Sequence, residues 1–343
     1  MQFSYIIGLT LITVLMTSCT EKGSDNAIEK LEGSAQGTTY HISFWSPTQI
    51  DLIDIKSSIE SEFLTIDKAL SNYRPDSEIE ALNSVETTNP QIVNPEIVSL
   101  IQIAKSVYTA SQGCYDLTIK PLFDLWGFRG ASLTIPTDIE ILSHLKNVGL
   151  DKLDIIDNIT LRKQQSQLKI DLSSIAQGYS VEKISTILEQ KGVQNYMVEI
   201  GGELKTQGAK PDSSAWRIAI ERPLPNQNVM HKIITMPKQQ PLAVMTSGTY
   251  RHYFDDHGQR YSHILDARTG RPVTHNLVSV TVFNSNPTLA DAWSTALLCL
   301  GQRDGIKAAN SANISALFIE QIDNDLIESK SAALNAMDTI TLH

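Results

Sequence analysis

Two periods of hydrophobicity alternate along this chain of 343 residues, and that mixture constrains its fold more than any other feature. Residues 50–70 repeat apolar side chains at helical spacing, whereas residues 38–44 alternate with the period of a β-strand. Further helices are predicted over residues 95–110, 174–190 and 288–300, and further strands over 196–200, 216–221, 233–236, 242–246 and 277–283. The expected fold class is therefore α/β or α+β, with mixed sheets flanked by helices.

The N-terminus predicts export from the cytoplasm. Residues 6–16 form an apolar run that is too short to span a bilayer and leads through small residues to Cys19. This pattern is typical of a bacterial lipoprotein signal over residues 1–18, with Cys19 as the lipid-bearing first mature residue. A plain signal peptide or a short apolar anchor is the alternative. The expected location is the bacterial cell envelope, lipid-anchored at the inner or outer membrane and facing the periplasm.

Behind this signal the chain is expected to form a tether and one large domain. Residues 19–33 are polar, which favours a flexible tether. Within residues 34–343 no Pro/Gly/Ser-rich linker or charge block marks a boundary between domains. The formal net charge of −10 argues against a surface that binds a phosphate backbone. Nucleic acid is therefore not expected as a partner.

The two cysteines of this domain, Cys114 and Cys299, lack the spacing of a metal site. An oxidising compartment would allow them to pair, and burial as free thiols is equally compatible with the sequence. The sequence leaves both states open.

A carboxylate and a hydroxyl share one face of the last predicted helix, because Asp291 and Thr295 stand four residues apart. Oxygen ligands of this kind suit Mg²⁺, which takes one or two protein carboxylates and completes its shell with water and substrate phosphate. A helix cap is the alternative role for an Asp near a helix start.

A second group of polar residues lies where residues 171–179 pass from a predicted strand into a helix. Asp171 ends the strand, Ser173 and Ser174 mark the start of the helix, and Gly178 permits the close approach of another chain or a ligand. Free amides at such a helix start suit phosphate oxygens. The alternative is a turn at Asp171 and N-capping by the two serines.

His263 adds a group that can transfer a proton, with Asp266 and Arg268 close by in the sequence. A purely structural histidine is the alternative. Taken together, the segments around Asp171, His263 and Asp291 predict a site for a metal-bound pyrophosphate.

Further stretches extend this pattern in order over nearly the whole mature chain. They are residues 37–40, 70–77, 115–122 with 125–128, 171–179, 199–203, 246–251, 261–266 with 269–272, and 290–295. The set resembles the FAD:protein FMN transferase family, the ApbE-type flavin transferases.

This resemblance implies Mg²⁺-dependent cleavage of FAD at its pyrophosphate, with FMN passed to a Thr or Ser hydroxyl of an acceptor protein and AMP released. It implies metal ligands at Ser174, Asp291 and Thr295. It also implies that His263 helps to deprotonate the acceptor hydroxyl, with Asp266 as an orienting partner. The implied FAD contacts are Gln36, Tyr73, Tyr115, Asp116, Leu117, Asp171, Gln177 and Leu265. The expected acceptors are exported or membrane-bound flavoproteins, such as subunits of ion-pumping membrane redox complexes.

Two positions depart from the family pattern, and two other functions stay open. Gln177 stands where many relatives have Lys or Glu, and Gln36 stands where Met is frequent; we still expect FAD binding, with Arg251 or Lys120 as compensating cations. Glu203 and Lys205 are expected at the surface. One alternative function is a periplasmic FAD pyrophosphatase, in which water replaces the acceptor and FMN and AMP are released. The other is a non-catalytic flavin-binding lipoprotein.

Overall fold

A large antiparallel sheet with packed helices forms the centre of this computed structural model, which describes residues 27–128, 130, 133–224, 229–250, 253–256 and 259–343. Its helices are α1 (Leu52–Leu70), α2 (Glu78–Ser84), α3 (Pro95–Ala110), α4 (Lys120–Trp126), α5 (Asp138–Leu145), α6 (Ala176–Gln190), α7 (Pro287–Ser311) and α8 (Ala332–Asn335). Its strands are β1 (Glu29–Ala35), β2 (Thr38–Trp45), β3 (Gln91–Ile92), β4 (Leu153–Asp157), β5 (Thr160–Lys163), β6 (Asn195–Ile200), β7 (Glu203–Gln207), β8 (Arg217–Glu221), β9 (Met230–Thr235), β10 (Leu242–Gly248), β11 (Tyr253–Asp256), β12 (Gln259–Ser262), β13 (Leu265–Asp266), β14 (Arg271–Pro272), β15 (Leu277–Asn284), β16 (Ser315–Ile322), β17 (Asp325–Lys330) and β18 (Thr341–Leu342). Cys19 and the signal predicted over residues 1–18 lie outside the described residues, as does Arg251.

The main sheet has the strand order β1-β2-β6-β7-β10-β15-β16-β17. Every neighbouring pair in it is antiparallel, where mixed sheets were expected. Short turns join β1 to β2, β6 to β7 and β16 to β17, and a short turn can connect only antiparallel neighbours. The predicted fold class is confirmed, in its α+β form.

The central strands of the main sheet, such as β10, are buried on both faces, to which their successive side chains point in turn. In β10, Ala243 and Met245 belong to the larger apolar core, which the sheet shares with α1, α3, α6 and α7. Leu242 and Val244 belong to a second core, which includes β8, β9 and α8. Burial on both sides explains why strands such as β15 have nearly continuous apolar sequences.

The helix boundaries follow from side-chain caps that the sequence carries. Asp51 caps α1 by accepting hydrogen bonds from the backbone N–H groups of Ile53 and Asp54, both at 3.0 Å. The predicted bounds of α3, residues 95–110, are confirmed, with Pro95 in its first turn. The part of the chain that the structure describes has no helix with the length and hydropathy needed to cross a membrane.

The domain begins earlier than predicted, because Glu29–Ala35 form the edge strand β1. Residues 29–33 therefore belong to the sheet and not to the predicted tether. Their polar sequence did not indicate a strand, because an edge strand that is exposed on one face needs few apolar residues. Gln36 and Gly37, both with positive φ (55° and 76°), form the two-residue turn into β2.

A disulfide joins Cys114 to Cys299, which are 185 residues apart in the sequence. Of the two states that the sequence left open, the structure therefore has the paired one. The bond connects the segment before a 3₁₀ turn, Leu117–Ile119, to the middle of α7.

Candidate active site

One cavity of about 770 Å³ gathers most of the predicted site residues. Among the residues that the structure describes, all of the predicted catalytic, FAD-binding and metal-binding residues line it except Leu117 and Asp266. Those that line it are Gln36, Tyr73, Tyr115, Asp116, Asp171, Ser174, Gln177, His263, Leu265, Asp291 and Thr295. The chain therefore brings segments more than 250 residues apart, Gln36 and Asp291 among them, to one site.

Asp291 reaches the cavity where α7 crosses the N-terminal turn of α6. A Cβ atom on Gly178 would lie 2.5 Å from the Pro287 carbonyl oxygen and 2.6 Å from Asp291 Cβ, so only glycine allows the two helices to approach this closely. The Gly178 N–H donates a hydrogen bond to Asp291 Oδ2 at 2.8 Å. The cap of α7 is Asn286, which accepts from the Leu289 N–H, so Asp291 does not serve as the helix cap.

The Asp291 carboxylate is buried, with 5% of the residue exposed. Burial raises its pKa above the ordinary value, and the hydrogen bond from Gly178 opposes this rise. Within the described chain, no Lys or Arg pairs with this carboxylate, and its hydrogen-bond donor is the Gly178 N–H. A buried carboxylate without a protein cation is stabilised by a bound metal ion, so this residue fits the predicted role.

Hydroxyl groups extend this oxygen-rich surface. Ser247 Oγ on β10 lies 3.0 Å from Thr295 Oγ1 and 2.8 Å from Ser294 Oγ. Sequence reasoning gave no role to Ser247, although it belongs to the stretch 246–251 at the end of a predicted strand. Thr295 and Ser247 thus face each other across the junction of α7 and the main sheet.

Ser174 also lines the cavity, next to a buried tyrosine. Its hydroxyl donates to Tyr115 Oη at 3.4 Å. Burial raises the pKa of Tyr115 far above its ordinary value, with a smaller contribution from the Asp291 charge. Tyr115 therefore remains a neutral phenol at any physiological pH.

The segment around Asp171 differs from the prediction. No strand leads directly into Asp171; instead, the side-chain amides of Asn72 and Asn83 hold the backbone of residues 170–172. Asn72 Oδ1 accepts from the Leu172 N–H at 2.6 Å and Asn83 Oδ1 accepts from the Ile170 N–H at 2.7 Å. Both amides also donate to the Ile170 carbonyl oxygen, at 2.9 and 2.8 Å.

The alternative prediction for this segment, a turn at Asp171, is confirmed. Asp171 Oδ1 accepts from the Ser173 N–H at 2.8 Å. Helix α6 begins after Ile175 with no side-chain cap, so N-capping by Ser173 or Ser174 is wrong. The N-terminal turn of α6 instead directs its amides toward Asp291 and the cavity.

Asp116 and Leu117 contribute mainly to the local fold. Asp116 accepts from the Thr118 N–H at 2.7 Å and from the Leu150 N–H at 2.9 Å. Burial raises its pKa to about 6, against the opposing effect of these hydrogen bonds. Leu117 is fully buried behind the cavity wall, where its carbonyl oxygen accepts from the Asp171 N–H at 2.7 Å.

The rim of the cavity carries the remaining predicted FAD contacts. Tyr73 is 76% exposed there, and Gln36 Nε2 donates to Ser180 Oγ on α6 at 2.6 Å. The Gln177 side chain lies against the β6–β7 turn, since a Cβ atom on Gly201 would be 2.6 Å from Gln177 Nε2. Lys120, one of the two expected compensating cations, is instead paired with Glu80 at 3.2 Å.

His263 follows directly after β12, is half-buried and lines the cavity. Asp266 lies beside it in sequence but outside the cavity lining. Its carboxylate accepts from Arg268 Nη2 at 2.7 Å and from the Arg268 backbone N–H at 2.9 Å. Asp266 is thus paired with Arg268, which also approaches Cys114 Sγ at 3.3 Å.

The expectation that Glu203 and Lys205 lie at the surface is wrong. Both are buried on β7, which has strands on each side and packed layers on both faces. Lys205 Nζ lies 3.4 Å from Glu189 Oε1. Glu203 lines the cavity and accepts from the Thr246 N–H at 3.0 Å. The alternation of β7 alone could not reveal that both of its faces are covered.

Comparisons with known sequences agree on one family. A sequence model of the ApbE family matches residues 36–318. A protein of Vibrio cholerae named FAD:protein FMN transferase is 34% identical over 328 residues, which cover 95% of this chain and 96% of that protein. A protein of the same name from Haemophilus influenzae is 31% identical over 322 residues, covering 91% and 92%.

Solved structures resemble the fold over a similar length. The flavin transferase ApbE from Vibrio cholerae superposes with a TM-score of 0.82 at 35% identity and covers 91% of this chain and 99% of its own. The ApbE protein from Thermotoga maritima superposes with a TM-score of 0.79 at 29% identity, covering 90% and 99%.

Proposed function

This chain belongs to the ApbE family, and from that membership we propose that it is an enzyme, a FAD:protein FMN transferase. The reaction breaks the bond between the FMN phosphorus and the oxygen that links it to AMP. A new bond joins that phosphorus to a Thr or Ser oxygen of an acceptor flavoprotein. AMP leaves with the bridging oxygen, and the acceptor hydroxyl gives up its proton. The observation that carries this proposal is the single cavity shared by His263 and the Asp291–Thr295 face of α7.

The cavity suits FAD in size and in the character of its ends. Its volume of about 770 Å³ lies in the range of pockets that enclose a ligand, roughly 300–1,000 Å³. Tyr73 at the rim offers an exposed ring for stacking on a flat flavin or adenine. The uncapped N-terminus of α6, at Ala176 and Gln177, offers amide dipoles to phosphate oxygens in the interior.

The donor set fits Mg²⁺, because Asp291, Thr295 and Ser174 each offer a hard oxygen donor. Asp291 and Thr295 would hold the ion, together with Ser174. The chemistry that Mg²⁺ supplies there is neutralisation of the phosphate charge. The protein fixes these oxygens through the Gly178 N–H, which holds Asp291, and through Ser247, which contacts Thr295.

His263 is the proposed general base, which accepts the proton of the acceptor hydroxyl. Asp266 acts on His263 through the chain between them. Its carboxylate binds Arg268 and its carbonyl oxygen accepts from the Gly270 N–H at 2.8 Å, so it fixes the turn that follows His263. Asp266 is therefore a positioning residue in this proposal.

We also propose that lipids on Cys19 hold the domain at the cell envelope, facing the periplasm. The paired state of Cys114 and Cys299 supports an oxidising compartment. The acceptors would then be envelope flavoproteins, among them subunits of membrane redox complexes.

The test is mass spectrometry of an acceptor domain with a Ser/Thr-Gly-Ala-Thr site after incubation with the protein, FAD and Mg²⁺, while AMP and FMN are followed in the same tube. The proposal expects an acceptor that gains one FMN, AMP release, and loss of both with EDTA. His263→Ala should abolish transfer. The control His231→Ala alters a histidine on β9 that pairs with Glu328 and should leave it intact. Free FMN and AMP without labelling would mean a pyrophosphatase, and intact FAD would mean a binding protein.

A further inference from the structure

The disulfide between Cys114 and Cys299 lies in the wall of the catalytic cavity. Both cysteines line the cavity, and both are almost fully buried in the surrounding protein. Cys299 stands four residues after Thr295 and eight after Asp291, so these three residues share one face of α7. One sulfur of the disulfide therefore belongs to the helix face that carries the proposed metal ligands.

The other sulfur belongs to the segment that carries Tyr115. Cys114 directly precedes Tyr115, whose hydroxyl accepts the hydrogen bond of Ser174. The helix face and this segment are thus covalently connected, with Cα atoms 6.0 Å apart at the bond. The described chain contains no second disulfide.

Helix α7 is interrupted two residues after Cys299. Gly301 has φ 74° and ψ 173°, which interrupts the helix at this point. The ligand-bearing part of α7 therefore ends at this break, and the disulfide at Cys299 connects its last turn to the segment that carries Tyr115. At this end Cys299 Sγ also approaches the carbonyl oxygen of Leu265, two residues from His263, at 3.8 Å.

From this arrangement we propose that the Cys114–Cys299 disulfide is a positioning element that holds the metal-binding face of α7 against Tyr115 and Ser174, so that the site has its full Mg²⁺ affinity only in the oxidised protein. This inference rests on the proposed function for the identity of the metal site. The disulfide does not touch the reacting atoms; it acts through Thr295 and Tyr115. Its loss is expected to weaken Mg²⁺ binding by about 10–100-fold, as removal of the groups that support metal ligands does.

A dithiol such as dithiothreitol can reduce the disulfide. Dithiothreitol supplies two electrons and two protons, the S–S bond of the protein becomes two thiols, and dithiothreitol becomes a cyclic disulfide. Because binding and reduction are linked, ligands that favour the oxidised state, here Mg²⁺, must in turn disfavour its reduction at equilibrium.

The experiment titrates Mg²⁺ at fixed FAD into the wild-type protein and into C114S/C299S. Mg²⁺ binding is measured by the shift of the thermal unfolding midpoint and by flavin fluorescence. We expect the half-saturating Mg²⁺ concentration to rise at least tenfold in the variant. A matched control is Leu334→Ala, which removes a buried side chain from the second core without touching the cavity. It should lower the unfolding midpoint and leave the Mg²⁺ requirement unchanged.

Treatment with dithiothreitol gives an independent measurement. The reduced wild-type protein, with its thiols counted by mass spectrometry after alkylation, should show the same loss of Mg²⁺ affinity, whereas C114S/C299S should not respond. An unchanged Mg²⁺ requirement in both the variant and the reduced protein would overturn the inference and leave the disulfide a role in stability alone. Failure of the wild-type protein to label an acceptor, with Mg²⁺ binding still dependent on the disulfide, would overturn the proposed function and support the inference.

Discussion

The close packing of α6 on α7 can be tested by Gly178→Ala, a change that adds one methyl group. The new Cβ would lie 2.5 Å from the Pro287 carbonyl oxygen and 2.6 Å from Asp291 Cβ, so the helices must move apart. Overpacking of this kind costs about 1–3 kcal/mol, and we place this case near the upper end because one contact is with backbone. Alanine regains about 1 kcal/mol through its higher helix propensity. The expected net loss of unfolding free energy is about 2 kcal/mol.

Urea unfolding without Mg²⁺ measures that loss, and an FMN-transfer assay over a range of Mg²⁺ concentrations measures its effect on the site. Separation of the helices weakens the hydrogen bond from Gly178 to Asp291. The half-saturating Mg²⁺ concentration should therefore rise by about 10–100-fold.

The matched control is Gly305→Ala in the distal part of α7. Its Cβ would meet Leu297 O and the Phe318 ring at 3.0 Å, a milder contact outside the cavity lining. This variant should keep the wild-type Mg²⁺ requirement. A Gly178→Ala protein that is more stable than the wild type, with an unchanged Mg²⁺ requirement, would refute the reasoning, since it would mean that α6 and α7 have room at the crossing.

Three further predictions concern single side chains. Burial raises the pKa of Asp291 from 3.8 to about 7, so the Mg²⁺-free folded state retains a proton that the unfolded chain loses, and its stability falls as pH rises through that interval. Urea unfolding in EDTA should show that the free energy of unfolding decreases less between pH 5 and pH 8 for Asp291→Asn than for the wild type. Equal decreases in the two proteins would contradict a raised pKa at Asp291. His263→Ala should abolish transfer while FAD still binds by fluorescence titration, and lost binding would argue for a structural histidine. Tyr73→Ala should weaken FAD binding by about 0.5–1.5 kcal/mol through lost stacking, whereas Tyr73→Phe should not; equal affinities for both would exclude stacking.

Local sequence signals predicted the elements that local interactions determine. The bounds of α3 were predicted correctly because the Asn94 cap, Pro95 and the apolar periodicity all lie within the helix itself. The residue types around Asp171, His263 and Asp291 predicted one shared site, and the family resemblance supplied the set of metal ligands. Periodicity could place Asp291 and Thr295 on one helix face, but it could not say which segment faces them.

Predictions failed where distant residues determine the structure. The strand predicted before Asp171 is replaced by backbone held from Asn72 and Asn83, about 90 to 100 residues earlier in the chain. Burial of Glu203 depends on the layers that cover β7. The pairing of Cys114 with Cys299 depends on the path of the 185 residues between them. None of these contacts leaves a pattern in the local sequence.

The amides of Asn72 and Asn83 support the cavity wall by side-chain hydrogen bonds, where a sheet would use the backbone of a neighbouring strand. Each amide presents a donor and an acceptor, so together they take the place of a neighbouring backbone at Ile170 and Leu172. Two side chains thus replace a neighbouring strand, and one substitution can alter the course of the wall beside the proposed phosphate site. Because amides do not titrate, this support remains the same across the pH range in which Asp291 changes its charge.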